Sequence, residues 1–221
     1  MKAKTITGRI LIVMGAMLLA AALLLAVYNY YHEGQSRDTM DKVLVRLEQE
    51  IPDQPAETSP FDVFSQEGYD LTEKDKTDSG ELTETAEDEG FELDGRYYIG
   101  VITLPTLDQK FPVIKSWSYA DMNIAPCRYD GARISRDLII CGHNYKGFFD
   151  KLQNLGSGDP VIFTDMKGRE FEYEVSYSEL ISGGDTPMMY RGAAKDWDLT
   201  LFTCTWSGYS RVTVRCVISE K

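Results

Sequence analysis

Residues 10–27 form an unbroken run of eighteen positions without a charged side chain, near the lower limit for a helix that crosses a hydrocarbon core. Tyr28, Tyr30 and Tyr31 follow, an aromatic cluster suited to the membrane–water boundary. Lys2, Lys4 and Arg9 precede the run and acidic residues dominate after it. The positive-inside rule therefore predicts residues 1–9 in the cytoplasm, a transmembrane anchor over 10–31 and the remainder outside the cell. A cleaved signal peptide would end in small residues beside a polar region, whereas Ala20, Ala21 and Ala22 sit mid-run and lead into Leu23, Leu24 and Leu25. The expected location is the cell membrane, with a single uncleaved pass.

Beyond the anchor, Met40, Val43, Leu44, Leu47 and Ile51 recur at helical spacing among charged residues. This predicts an amphipathic helix over 38–50, within a juxtamembrane segment 32–51. Its narrow apolar stripe is compatible with packing on a domain, with self-association or with a solvated stalk. Over 52–92 the periodicity disappears: from Asp62 to Asp94 the chain carries thirteen carboxylates and two lysines. So little apolar surface cannot offset the entropy of ordering, and the segment is expected to be a disordered acidic linker. About forty such residues span roughly 35 Å as a flexible coil, enough to act as a spacer.

From residue 93 to 221 the pattern changes to short β-type runs separated by turn signals. Residues 96–104, 112–117, 138–141, 160–164, 199–204 and 210–218 read as strands, the fourth following the turn Gly156-Ser157-Gly158-Asp159. Residues 169–177 alternate strictly, which places Phe171, Tyr173, Val175 and Tyr177 on one face. A short helix is expected near 148–155. Many short strands at this spacing indicate an all-β barrel or sandwich rather than a wound α/β sheet.

The chain has 221 residues and a formal charge of −12. That length allows one modest domain plus appendages. Fifteen basic and fifteen acidic residues fall in 95–221, so the whole excess lies in the first 94 positions. A neutral β domain lacks the basic face that would replace counterions on phosphates, which argues against nucleic-acid binding.

Candidate chemistry concentrates in that domain. Cys204 ends the run Thr200-Leu201-Phe202-Thr203-Cys204, Arg211 follows seven positions later, and His143 lies upstream in Cys141-Gly142-His143-Asn144. A thiol attacks an amide only as thiolate, the departing amine needs an acid, and a fixed cation helps where oxyanion charge develops. For a cysteine–histidine pair at reference values, about 8.5 and 6.5, the ion pair is only about 1% as populated as the neutral pair. Arg215 shares a strand face with Arg211, but lies roughly 13 Å further along. Arg211 is therefore the preferred cation.

The Thr-Leu-x-Thr-Cys pattern with an arginine entering the next strand, and Gly142-His143 after a buried run, resembles the sortases, cysteine transpeptidases of Gram-positive cell surfaces. The resemblance covers about 97–218. It implies an eight-stranded sortase-type β-barrel with short helices and makes Cys204 the nucleophile, His143 the general acid/base and Arg211 the substrate or oxyanion stabiliser. Thr203, Trp206 and Tyr209 become candidate substrate-binding residues. The implied reaction cleaves a Leu-Pro-x-Thr-Gly-like sorting signal on a secreted protein through a thioester, then passes the acyl group to an amine of a peptidoglycan precursor or a pilin lysine. It needs no metal or organic cofactor. Some members carry an N-terminal lid with an Asp-Pro-aromatic motif; the nearest stretch here, Ser59-Pro60-Phe61-Asp62, lacks the aspartate before proline. A class D-like or other housekeeping subclass fits by elimination, since no second apolar run occurs near Lys221 and residues 178–196 are short for an added helix.

Other readings carry less weight. Papain-like enzymes place the cysteine before the histidine, the reverse of the order here, and caspases need a Gln-Ala-Cys context that is absent. Cys141 and His143 alone lack a second ligand pair at zinc-site spacing. Cys127, Cys141 and Cys216 read as small buried hydrophobes, with a disulfide among them open in an oxidising compartment. A membrane-anchored binding module that keeps the fold without activity is the rival from another class.

Overall fold

The computed structural model describes residues 2–52, 90–190 and 196–219. One helix, α1 (Lys2–Glu50), takes up both the apolar run and the amphipathic stretch without a break. From Leu11 onward its apolar run is bare, the surface of a single membrane-spanning anchor. Further along, Met40, Val43 and Leu47 are buried in the same apolar cluster as the β domain, and Leu44 packs against it. The apolar stripe thus covers the domain's own core. Lys110 on the domain donates to Glu48 at 2.8 Å, and Arg46 pairs with Asp94. Both pairs are exposed, so apolar burial carries most of the docking.

Among the described residues nine strands follow: β1 (Phe91–Leu93), β2 (Arg96–Leu104), β3 (Gln109–Ile114), β4 (Cys127–Asp130), β5 (Leu138–Gly142), β6 (Pro160–Asp165), β7 (Glu170–Ser182), β8 (Leu199–Cys204) and β9 (Ser210–Ile218). Their order is β1-β2-β3-β4-β5-β8-β9-β7-β6, and β6 returns to β2. Eight strands therefore close a barrel, with β1 appended to β2 as a short hairpin. Only the β3–β4 and β5–β8 contacts are parallel. Closure depends on Gly100, which sits beside a bulge at φ +153°, where an added Cβ would fall 2.2 Å from the Thr164 carbonyl oxygen. A short helix α2 (Tyr119–Met122) is capped by Ser118, whose hydroxyl accepts from the Asp121 amide. Among the described residues, 3₁₀ helices at Pro105–Leu107, Phe149–Asn154 and Thr186–Met189 complete the domain.

Strand β7 differs from the strict alternation expected of it. Phe171, Tyr173 and Val175 are buried, but Tyr177 is 36% exposed. A register shift against β9 between Val175 and Tyr177 inserts one residue and turns the rest of the strand over. Strands β1 and β4 and helix α2 were too short to register as periodic runs.

The expected linker lies largely outside the described residues. Its flanks both rest on the barrel: the Pro52 carbonyl lies against Gly168, and Gly90 lies against the Tyr98 backbone. Helix α1 is thus the packed connection between the anchor and the barrel.

Leu47 is fully buried, whereas Val45 on the same helix is exposed. Leu47→Ala should destabilise the barrel by about 2–5 kcal/mol, and Val45→Ala by less than about 0.5 kcal/mol, in urea unfolding of the detergent-solubilised chain.

Candidate active site

Strand pairing alone brings the three candidate residues together. In the parallel β5–β8 pair, Gly142 is opposite Thr203, so His143 leaves β5 level with Cys204. In the antiparallel β8–β9 pair, Cys204 is directly opposite Arg211. Opposed residues share a sheet face, which places the thiol and the guanidinium on the same side. Cys204, His143 and Arg211 all line one groove of about 210 Å³.

Each is held by local chemistry. Gly142 lets the Phe149 ring close onto the end of β5, since an added Cβ would lie 2.9 Å from it. The Phe149 amide donates to the His143 carbonyl at 3.0 Å, which fixes the backbone of the histidine. The imidazole stacks on Tyr145 with centroids 4.3 Å apart and 11° between planes. Arg211 donates from Nη1 to the Gly208 and Ser210 carbonyls at 3.0 and 3.3 Å, so the β8–β9 turn aims its guanidinium.

Burial sorts the four cysteines, all of which are free thiols. Cys127, Cys141 and Cys216 are buried, and desolvation raises each thiol well above the ordinary range, that of Cys141 to about 12. Cys127 and Cys141 are cross-strand neighbours, and the Cys127 thiol donates to the Ala125 carbonyl. Such thiols remain protonated and unreactive. Cys141 also borders the groove but is buried, whereas Cys204, half-buried at the end of its strand, is the accessible thiol there.

The other sequence candidates fall in different places. Thr203 points away from the groove: it is buried and donates from Oγ1 to the Gly142 carbonyl at 2.8 Å, sealing β5 to β8. Trp206 is 92% exposed and, with Asn144 and Asp150, lines a second cleft that also reaches Cys204. Tyr209 is 83% exposed and borders neither cleft. Arg215 is buried far along β9. Among the described residues no cluster of three metal-ligating side chains occurs. The stretch Ser59-Pro60-Phe61-Asp62 lies outside the described residues.

Sequence reasoning missed the groove's apolar walls. Trp117 and Tyr129 stack at 5.6 Å, and Phe202 meets Tyr129 edge-on at 5.3 Å. Met189 and Thr186 face them from the segment after β7. Phe202 was recoverable, since it lies two residues before Cys204 on the same face.

The sortase-domain family profile matches residues 102–219 of this chain. The chain therefore belongs to the sortase family of cysteine transpeptidases. Among solved structures it is similar to sortase A from Corynebacterium diphtheriae, at 23% identity and a TM-score of 0.51, over 57% of this chain and 62% of that one. A lid mutant of the same enzyme matches at 21% identity and a TM-score of 0.51, over 82% of this chain and 94% of that one. Sortase C1 of GBS pilus island 1 aligns at 18% identity with a TM-score of 0.50, over 56% and 65%. At these identities the likeness is one of fold. The chain spans about three-fifths of the length of the first of these structures. No curated protein matches it.

The His143 imidazole is held below its usual value of 6.5, first by burial and second by the charge of nearby His32 on α1. A lowered value makes the imidazolium scarcer near neutral pH than in a free histidine. NMR titration of His143 should give a midpoint below 6.5. His32→Gln should move that midpoint upward without restoring it fully, because burial is the larger cause.

Proposed function

We propose that this chain is a membrane-anchored transpeptidase whose Cys204 attacks the Thr-Gly bond of a Leu-Pro-x-Thr-Gly-like sorting signal on a secreted protein. The observation that carries this reading is the shared groove: a thiol, an imidazole and a guanidinium at adjoining strand ends, beside apolar walls of Trp117, Tyr129 and Phe202. The thiolate adds to the carbonyl, Arg211 stabilises the oxyanion or the adjoining backbone, and His143 protonates the leaving glycine amine. The C–N bond breaks as the thioester forms.

An acceptor amine then attacks the thioester, with His143 taking its proton, and Cys204 leaves as thiolate. One amide is exchanged for another, so no external energy source is required. The acceptor is an amine of a peptidoglycan precursor or a pilin lysine. Free cysteine and histidine favour the neutral pair at their reference values, and the lowered His143 value makes its imidazolium scarcer still. The reactive ion pair is then a minority form, consistent with a slow enzyme. Trp206, exposed on the β8–β9 loop beside the second cleft, would touch bound peptide, Tyr209 lies on the same loop outside both clefts, and Thr203 acts through the strand pairing. The basic N-terminal residues put residues 1–9 in the cytoplasm and the barrel outside.

Cys204→Ala should abolish the thioacyl adduct that mass spectrometry detects after incubation with a sorting-signal peptide, with unfolding behaviour unchanged. Persistence of the adduct would remove Cys204 as nucleophile. Arg211→Ala should lower turnover by about 10²–10³-fold, the usual scale for losing an oxyanion-stabilising donor.

A further inference from the structure

Arg215 is the largest fully buried side chain among the described residues, at 1% exposure. A buried guanidinium is costly unless its donors are matched, and here each of its three nitrogens finds an acceptor. Nε donates to Glu179 Oε1 on β7 at 3.0 Å, and Nη1 to Thr200 Oγ1 on β8 at 2.7 Å. Nη1 also reaches the Met189 carbonyl at 3.1 Å, and Nη2 the Met188 carbonyl. The guanidinium carbon lies 4.7 Å from the centroid of the Trp197 ring.

Two of those acceptors are main-chain carbonyls of the 3₁₀ helix Thr186–Met189, which is outside the sheet. A single 3₁₀ turn has weak internal bonding and contains Pro187, so it does not hold its own place against the barrel. Its Thr186 and Met189 nevertheless form a wall of the groove that contains Cys204. Arg215 ties that wall to strands β7, β8 and β9. Only a planar fork can serve a carboxylate, a hydroxyl and two carbonyls at once, which a lysine cannot do.

We propose that Arg215 is a positioning residue for peptide recognition: it fixes the Thr186–Met189 wall so that the groove accepts the apolar part of the sorting signal. The two arginines of β9 then divide the work, Arg211 at the reacting bond and Arg215 behind the wall. This rests on the reading of the groove as the sorting-signal site.

The test uses the full-length chain in detergent with a fluorogenic sorting-signal peptide, comparing wild type, Arg215→Met and Arg215→Lys. Arg215→Met should raise KM about tenfold or more while kcat stays within about threefold, the pattern of lost ground-state binding. Alkylation of Cys204 by iodoacetamide should keep its wild-type rate, and amide exchange over 186–190 should accelerate while β8 stays protected. Arg215→Lys should fall between the two. Wild-type KM and wild-type exchange over 186–190 in a folded Arg215→Met would overturn the proposal, as would parallel losses in kcat and alkylation, which indicate general collapse. If Arg215→Met does not fold, Arg215→Lys decides, and wild-type KM and exchange there overturn the proposal. A wild-type chain that processes no sorting peptide would instead refute the transpeptidase reading, and the exchange over 186–190 would still decide whether Arg215 anchors the wall.

Discussion

The parallel pairing of β5 with β8 is the constraint on which the site depends. Parallel neighbours must be joined by a long crossover, so residues 61 positions apart meet at the same level of one sheet. The Thr203 hydroxyl bonded to the Gly142 carbonyl pins that register at its last rung. A slip of one residue would turn Cys204 to the opposite face, away from Arg211. The antiparallel return of β9 then supplies the cation from a tight turn, whose carbonyls hold the guanidinium in place. A buried threonine that never faces the groove thus decides whether thiol, imidazole and guanidinium share one.

Much of this was legible in the chain. The membrane anchor followed from an uncharged apolar run, and the barrel from short β-type runs at regular spacing. Cys204 and His143 could be singled out because cysteine and histidine are scarce here, and Arg211 because of its place at the start of the next strand. Side-chain direction was legible only where alternation held. Thr203 and Cys204 are adjacent, so they cannot both face the groove, and the strand period assigns Thr203 to the opposite side, where it borders the second cleft. Tyr177 fell off its expected face because a bulge has no periodic signature.

The groove walls were less legible for a different reason. Trp117, Tyr129, Met189 and Phe202 come from four separate stretches, and only the closed barrel makes them neighbours. The same holds for Arg215. On the strand it looked like a weaker copy of Arg211, yet burial and four acceptors give it a different task. Two identical side chains on one face of one strand are distinguished by what lies opposite each of them, and that information sits in β7, β8 and the 3₁₀ turn.

Helix α1 links this chemistry to the membrane in a way that composition does not suggest. An acidic stretch of some forty residues invites the picture of a barrel on a loose tether. Instead Met40, Val43 and Leu47 are buried in the domain's core, and the stretch departs from and returns to the barrel surface. Gly147, four residues past His143, is packed against the Arg37 side chain. Arg37 is six residues beyond Tyr31, about 9 Å along a helix. Height above the bilayer is then set by a helical rise, and His32, in the turn between, is close enough to lower the imidazole's proton affinity. Anchoring and the electrostatics of the candidate site therefore meet on one element, and the packing that fixes the barrel's position also contributes to the charge balance around His143.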